Sequence, residues 1–277
     1  MPGLAPGRGW HVRTFLAVLP GFVQNGNDIM PDAQGFRRKF GVLGPSTNTI
    51  VQPDFDDMRP YGVTNHYSRI FTPNANAISN ETFRAGAETI GRNTLDAVRS
   101  VMTCSPDYLV MGMSAVTFFD GVAGADRFVK EVERESGIRI SVGSHSCTAA
   151  LKVLNSGPRL AVLSPYWPSM NQEVARYFGD MGYTVVRDIA LQCPSWTAIA
   201  EVSTERCREA LKQLDGPDVD AIIQVGTNLS MVRLAAAAEM WLGKPVIAIN
   251  TATYWHALRA NGITERREGF GRLMAEF

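Results

Sequence analysis

The chain contains no C-x-x-C pair, no H-E-x-x-H and no G-x-x-x-x-G-K-[ST], and no G-x-G-x-x-G follows its first strand. These absences exclude the common sequence signatures of zinc, nucleoside triphosphate and dinucleotide sites. It has no charge of one sign to spare: 27 Lys and Arg balance 27 Asp and Glu. That leaves no electrostatic footprint for nucleic acid or an anionic membrane surface. Its four cysteines (Cys104, Cys147, Cys193, Cys207) and four histidines (His11, His66, His145, His256) are scattered, with no metal-ligand spacing. Few, scattered cysteines in a chain of 277 residues fit a reducing cytoplasm better than a disulfide scaffold. Long apolar runs are missing too. Thr14 to Val23 is too short to span a bilayer and is interrupted by Pro20, with no small-residue cleavage site after it. Residues 1–35 are therefore expected to be a poorly ordered N-terminal extension, with Met30 as an alternative start.

What is present is an ordinary globular composition, 45% hydrophobic and 19% charged, arranged as short β-rich runs alternating with helical segments. The predicted strands are Phe40–Gly44, Tyr108–Met111 and Ile138–Val142, then Arg159–Leu163, Thr184–Ile189, Ala221–Val225 and Pro245–Ile249. The predicted helices are 80–102, 124–136, 148–154, 170–180, 204–214, 229–241 and 254–260. The longest, Asn80–Met102, is capped by Ser79 or Asn80 and carries Phe83, Ala87, Ile90, Leu95, Val98 and Val101 at helical spacing. Such alternation predicts an α/β fold with mostly parallel sheets covered by helices on both faces.

The two halves resemble each other. Gly41-Val42-Leu43-Gly44-Pro45 matches Ala161-Val162-Leu163-Ser164-Pro165, Tyr108–Gly112 matches Ala221–Gly226, and Ile138–Ser141 matches Val246–Ile249. The matches keep their order at separations of about 105 to 120 residues. Two similar Rossmann-like lobes with a cleft between them follow: residues 36–152 plus 264–277, and residues 153–263.

Five segments rich in Ser, Thr, Asn and Gly lie where predicted strands end: 45–49, 112–121, 164–166, 226–229 and 250–253. Carboxyl ends of parallel strands bind ligands, and amides at helix starts suit a carboxylate or a developing enolate oxygen. Several residues have a plainer reading as well. Pro45 and Pro165 terminate strands, and Asn48 can cap the following helix. Tyr166 can simply pack, and His145 can be a satisfied polar residue rather than a general acid or base. Phe118, Phe119, Trp167, Trp196 and Trp255 are candidates for pocket walls, with core packing as the default.

At GVLGPSTNT, PYWPSMN, VGTNLSM and GKPVIAINTATYWHALRANGI the chain resembles the maleate cis-trans isomerases and arylmalonate decarboxylases of the aspartate/glutamate racemase superfamily, over roughly Phe36 to Ile263. The resemblance implies no metal or organic cofactor, a small carboxylate substrate, and an enolate-type intermediate held by amides and hydroxyls. It also implies two facing cleft positions, both cysteine in the isomerases and only the second in the decarboxylases. Here those positions are Met113 and Gly226. The positions that match the anion cradle are Ser46, Asn48, Ser114, Thr117, Tyr166, Thr227 and Asn228, with Tyr166, Ser114 and Thr117 as the catalytic candidates; Pro45, Met113 and Gly226 join Ser46, Asn48, Thr227 and Asn228 as substrate-binding candidates. Trp196 falls near a position held by Asn in the isomerases, and Cys147 or Cys193 is a candidate replacement thiol. The expected activity is malonate-type decarboxylation. A maleate-type isomerase or racemase, and a non-catalytic small-acid binder, are the alternatives. A homo-oligomer is left open; nucleic acid and membrane are not expected partners.

Overall fold

The computed structural model describes residues 32–277. The expectation for the N-terminal extension lies, up to residue 31, outside the described residues. From there the chain runs through two copies of one βα arrangement. The first comprises β1 (Arg38–Pro45), α1 (Val51–Met58), β2 (Val63–Ile70), α2 (Asn80–Met102), β3 (Tyr108–Met111), α3 (Gly121–Ser136), β4 (Ile140–Ser141) and α4 (Gly143–Val153). The second comprises β5 (Arg159–Ser164), α5 (Pro168–Asp180), β6 (Thr184–Ala190), α6 (Thr204–Leu214), β7 (Ala221–Gln224), α7 (Val232–Leu242), β8 (Val246–Ala248) and α8 (Ile249–Ala260). A short α9 (Arg272–Glu276) closes the chain.

Each copy builds a four-stranded sheet, ordered β2-β1-β3-β4 in one and β6-β5-β7-β8 in the other, with every pairing parallel. The central strands are buried on both faces: Phe40, Val42 and Leu43 in β1, and Leu160 to Leu163 in β5, are sealed from solvent. This is why they read as continuous apolar runs rather than alternating ones. The helix α2 forms where its apolar spacing requires. Ser79 and Thr82 make a reciprocal capping box, and Phe83, Ala87, Ile90, Ala97, Val98 and Val101 are buried along one stripe.

Besides the short closing helix α9, two elements escaped the sequence reading. The edge strand β2 (VTNHYSRI) has four partly exposed residues in its middle and no clean alternation, so periodicity was silent there. The helix α1 is short and carries Pro53 with three aspartates. Two helices start five residues earlier than predicted, α4 at Gly143 rather than Thr148 and α8 at Ile249 rather than Tyr254, and α3 and α5 start three and two residues early. Segment 250–253 is thus the first turn of a helix, not a loop. Hydroxyl-bearing residues are tolerated in these two helix starts because they bond back to the preceding turn, as Thr253 does in α8 to the Ile249 carbonyl at 2.7 Å and Ser146 in α4 to the Val142 carbonyl at 2.8 Å.

The helix α8 follows the second sheet but packs on α4 and α1 of the first copy. With the order 2-1-3-4, the connections diverge between β1 and β3, and in the other sheet between β5 and β7. The loops leaving these four strands meet each other.

Candidate functional site

Those four loops line one pocket. Pro45, Thr47 and Asn48 follow β1; Met113, Ser114 and Ala115 follow β3; Tyr166 follows β5; Gly226, Thr227 and Asn228 follow β7. Ile90, Trp196 and Ile199 complete the wall. Both topological switch points of the molecule therefore open into the same space, where parallel α/β sheets bind ligands. None of the lining residues is charged.

The hydroxyl of Tyr166 lies 2.6 Å from that of Ser114, and the Gly226 amide donates to Ser114 Oγ at 3.2 Å. Between them the two hydroxyls carry two protons. One is spent on their mutual bond, so one O–H of the pair is free for a ligand. Burial pushes the Tyr166 phenol well above its ordinary range, only partly offset by the Ser114 bond, so it stays protonated at neutral pH. A relay of side chains holds Tyr166 in place. Its amide donates to Ser164 Oγ at 3.1 Å, Ser164 donates to Asn171, and Asn171 donates to Asp188.

The amides of Thr47, Met113, Ser114, Ala115, Thr227 and Asn228 have no hydrogen-bond partner among the described residues. A buried amide without a partner is costly unless a ligand or water takes it. These six residues all line the pocket, so their amides border it as neutral donors not used by the protein itself.

Several candidates instead hold the lobes together. Asn48 accepts from the amides of Ile50 and Val51, so its capping role is real, and it donates to Thr227 Oγ1 at 3.1 Å. Thr227 passes its own proton to the Gly112 carbonyl at 2.8 Å. Asn228 accepts from the Thr49 amide at 2.9 Å and donates to the Trp196 carbonyl at 2.9 Å. Their side chains are bound to protein; what they offer the pocket is backbone and shape.

Two expected cradle residues do not reach it. Ser46 is exposed and turned aside: its hydroxyl donates to the Thr72 carbonyl and accepts the Thr72 amide at 2.9 Å. Thr117 is fully buried and bonds back to the Ser114 carbonyl at 2.8 Å, closing the single 3-10 turn Ala115–Thr117. It shapes the Ser114 loop without facing a ligand.

The replacement thiols and the histidine also lie elsewhere. Cys147 is fully buried in α4, where the loss of solvent pushes its thiol far up. It sits in the second turn of that helix rather than at its start, so the expected dipole effect is absent. Burial raises Cys193 to about 11. Neither lines the pocket. His145 faces Asp126 at 3.2 Å, and burial lowers its pKa. Of the aromatic candidates, Trp196 alone lines the pocket.

Gly226 deserves its residue type. Its φ is +94°, and a Cβ there would stand 2.3 Å from Pro165 Cδ. No side chain of any kind, thiol included, fits this backbone.

Sequence reasoning placed Thr47 and Ala115 in the strand-end segments without singling them out, and missed Ile90, Ile199 and Gln224 as site residues. The Gln224 side chain donates to the carbonyls of Val225 and Gly226 at 2.7 and 2.9 Å and so sets the loop that carries Gly226. A buried amide ending an otherwise apolar strand was its signal. Among the described residues no group of three or more His, Cys, Asp or Glu is placed to hold a metal ion, and no helix is long and apolar enough to cross a membrane.

A two-lobed α/β protein with an uncharged, amide- and hydroxyl-bearing cleft is the class that fold and site define. The family model described as arylmalonate decarboxylase matches residues 74–274, and the chain belongs to that family. The maleate isomerase of Nocardia farcinica is 22% identical over 248 residues, covering 86% of this chain and 96% of its own length. The arylmalonate decarboxylase of Bordetella bronchiseptica is 22% identical over 196 residues, covering 69% and 80%. The solved structure of the Nocardia farcinica maleate cis-trans isomerase with a covalently bound succinylcysteine intermediate has the same fold, at a TM-score of 0.78 and 21% identity over 87% of this chain and 99% of that one. Family members are thus enzymes, both isomerases and decarboxylases.

Proposed function

We propose that the chain is a cofactor-independent enzyme that removes carbon dioxide from a small malonate-type acid through an enolate-type intermediate. The observation that carries this reading is the mixed character of the pocket. Its lining combines unpaired amides and the Ser114–Tyr166 hydroxyl pair with the apolar side chains of Met113, Ile90, Trp196 and Ile199, and holds no charged residue. One carboxylate is held by the neutral donors. The other faces the apolar wall, loses its hydration, and meets no cation to compensate, which favours its departure as neutral carbon dioxide. The bond to the α-carbon breaks. Its electron pair delocalises onto the retained carboxyl group, whose oxygens the amides hold. The new C–H bond takes a proton from the Tyr166 hydroxyl, and the phenolate is reprotonated through Ser114 from water.

This chemistry needs one proton transfer. Racemisation needs two opposed acid–base groups, and maleate-type isomerisation needs a nucleophile. The Nocardia farcinica relative carries a succinylcysteine, whereas no cysteine lines this pocket. These two activities are therefore the less supported alternatives. A second reading is supported by Met113 and Gly226: a relative that binds a small acid and does not turn it over.

Proton NMR in deuterium oxide with substituted malonates, maleate and aspartate-like amino acids separates the readings. Loss of a malonate with appearance of a deuterated monoacid is the expected result. Fumarate from maleate, or deuterium at an α-carbon without loss of carbon dioxide, would replace the decarboxylase reading with the isomerase or racemase one. Line broadening without product would replace it with the binding one.

A further inference from the structure

Trp196 lines the cleft pocket and packs on a glycine of α2 that borders a second space. Ile90 and Ile199 join it in the pocket wall. Its indole rests on α2 at Gly86, where a Cβ would fall 2.6 Å from the ring atom Cζ2. Gly86 in turn lines a separate surface groove with Pro73, Ala75, Asn76, Thr82 and Thr89. The two spaces differ in size. The centre of a water molecule has about 30 Å³ open to it in the pocket and about 290 Å³ in the groove. A compact void with the pocket's volume has a radius of about 3 Å once the water's own radius is added. The pocket is thus the tighter of the two spaces, scaled to an acid of a few carbons rather than to one with a ring beside it.

The indole is not a loose flap. Phe83 packs on it with ring centroids 4.8 Å apart. The backbone around it is clamped from the other lobe, where Asn76 pairs with Ser195 in an antiparallel bridge and the Ala77 amide donates to the Pro194 carbonyl at 2.8 Å, and from its own lobe, where Asn228 donates to the Trp196 carbonyl at 2.9 Å. A wall fixed from three sides excludes by shape rather than by opening and closing.

We infer that Trp196, seated in the notch left by Gly86, is the specificity-determining residue of the site: it separates the pocket from the outer groove and restricts the substrate to acids bearing a hydrogen or a short alkyl substituent. Shortening Trp196 joins pocket and groove and admits an aryl substituent. This inference rests on the small-acid reading of the pocket, and its test is built to fail separately from the decarboxylation it accompanies.

The test compares the wild type with Trp196→Ala and with Trp196→Leu, which keeps an apolar residue in the wall should the alanine variant not fold. Binding of propionate and of phenylacetate is measured by calorimetry, and turnover of methylmalonate and of phenylmalonate by NMR. The expected result is a rise of about tenfold or more in the affinity ratio of phenylacetate to propionate in the folded variants, the size of effect that one pocket wall exerts on a bulky apolar group. An unchanged ratio overturns the inference, as does a wild type that takes phenylmalonate as readily as methylmalonate, even though decarboxylation would then be established. A shifted ratio without turnover of either malonate upholds the wall and overturns the decarboxylase reading. No binding of either acid by any of the three proteins overturns both.

Discussion

Two hydroxyls carry the chemistry assigned to this pocket, and each has a specific consequence. Removing the Tyr166 hydroxyl leaves Ser114 Oγ with the Gly226 amide as its single bonding partner in the site and takes away the proposed proton donor. Tyr166→Phe is expected to lower kcat by about 100-fold or more, the range for loss of a general acid, with Ser114→Ala also lowering it. NMR rates on the accepted malonate check this; unchanged rates in both variants would remove the pair from the mechanism. Gly226 sets a different kind of constraint. Its positive φ and the Pro165 ring above it leave no place for a Cβ. Gly226→Ala is expected to cost about 2–4 kcal/mol of stability, from backbone strain and overpacking together. A urea midpoint equal to that of the wild type would contradict the geometry.

The contact between α1 and α8 bears on the site from behind. Asn250, in the first turn of α8, donates to Asp54 at 2.8 Å and to the Thr227 carbonyl at 2.9 Å, while its own buried oxygen has no partner. Burial raises Asp54 from its ordinary 3.8 to about 6; the Asn250 bond and Arg233 pull it down, and Asp57 pushes it up. The folded-state pKa lies above the unfolded one, so the folded form holds the proton more tightly. The penalty for burying the charge is therefore full above about pH 6 and vanishes as pH falls below about 4. Asp54→Asn removes it and still offers an oxygen to Asn250. The variant is expected to be more stable than the wild type by on the order of 2 kcal/mol at pH 8, with the gain disappearing by pH 4. Denaturation midpoints at the two pH values check the sign.

The two lobes meet through loops that are mostly committed to each other, and this shapes what the protein as a unit can do. Asn48, Thr227 and Asn228 use their side chains to bridge the lobes, so the cleft is a fixed frame with neutral donors inside. Thiol chemistry has no place in it: Cys147, Cys193 and Cys207 are buried, and burial raises all three. Under native conditions iodoacetamide is expected to label Cys104, the partly exposed cysteine, and to leave activity unchanged. Substrate-protectable inactivation, mapped by mass spectrometry to Cys147 or Cys193, would restore a thiol mechanism.

The order of elements, the parallel sheets and the internal duplication were legible in the chain because buried central strands must be apolar throughout and helices must carry one apolar stripe; GVLGP and AVLSP announce β1 and β5 without help. So were the loops of the site, since Ser, Thr, Asn and Gly collect where strands end. Which loop atoms face a ligand was not legible. Ser46 and Asn48 are two residues apart and chemically alike, yet one turns outward to Thr72 and the other inward to Thr227. The hydroxyls of Ser114 and Tyr166 are 52 positions apart and meet only when the lobes close. Trp196 becomes a wall because Gly86, 110 positions earlier in the chain, leaves it a notch. Local composition dictates what an isolated segment prefers; contacts between distant segments exist only after packing, and the pocket is made of such contacts.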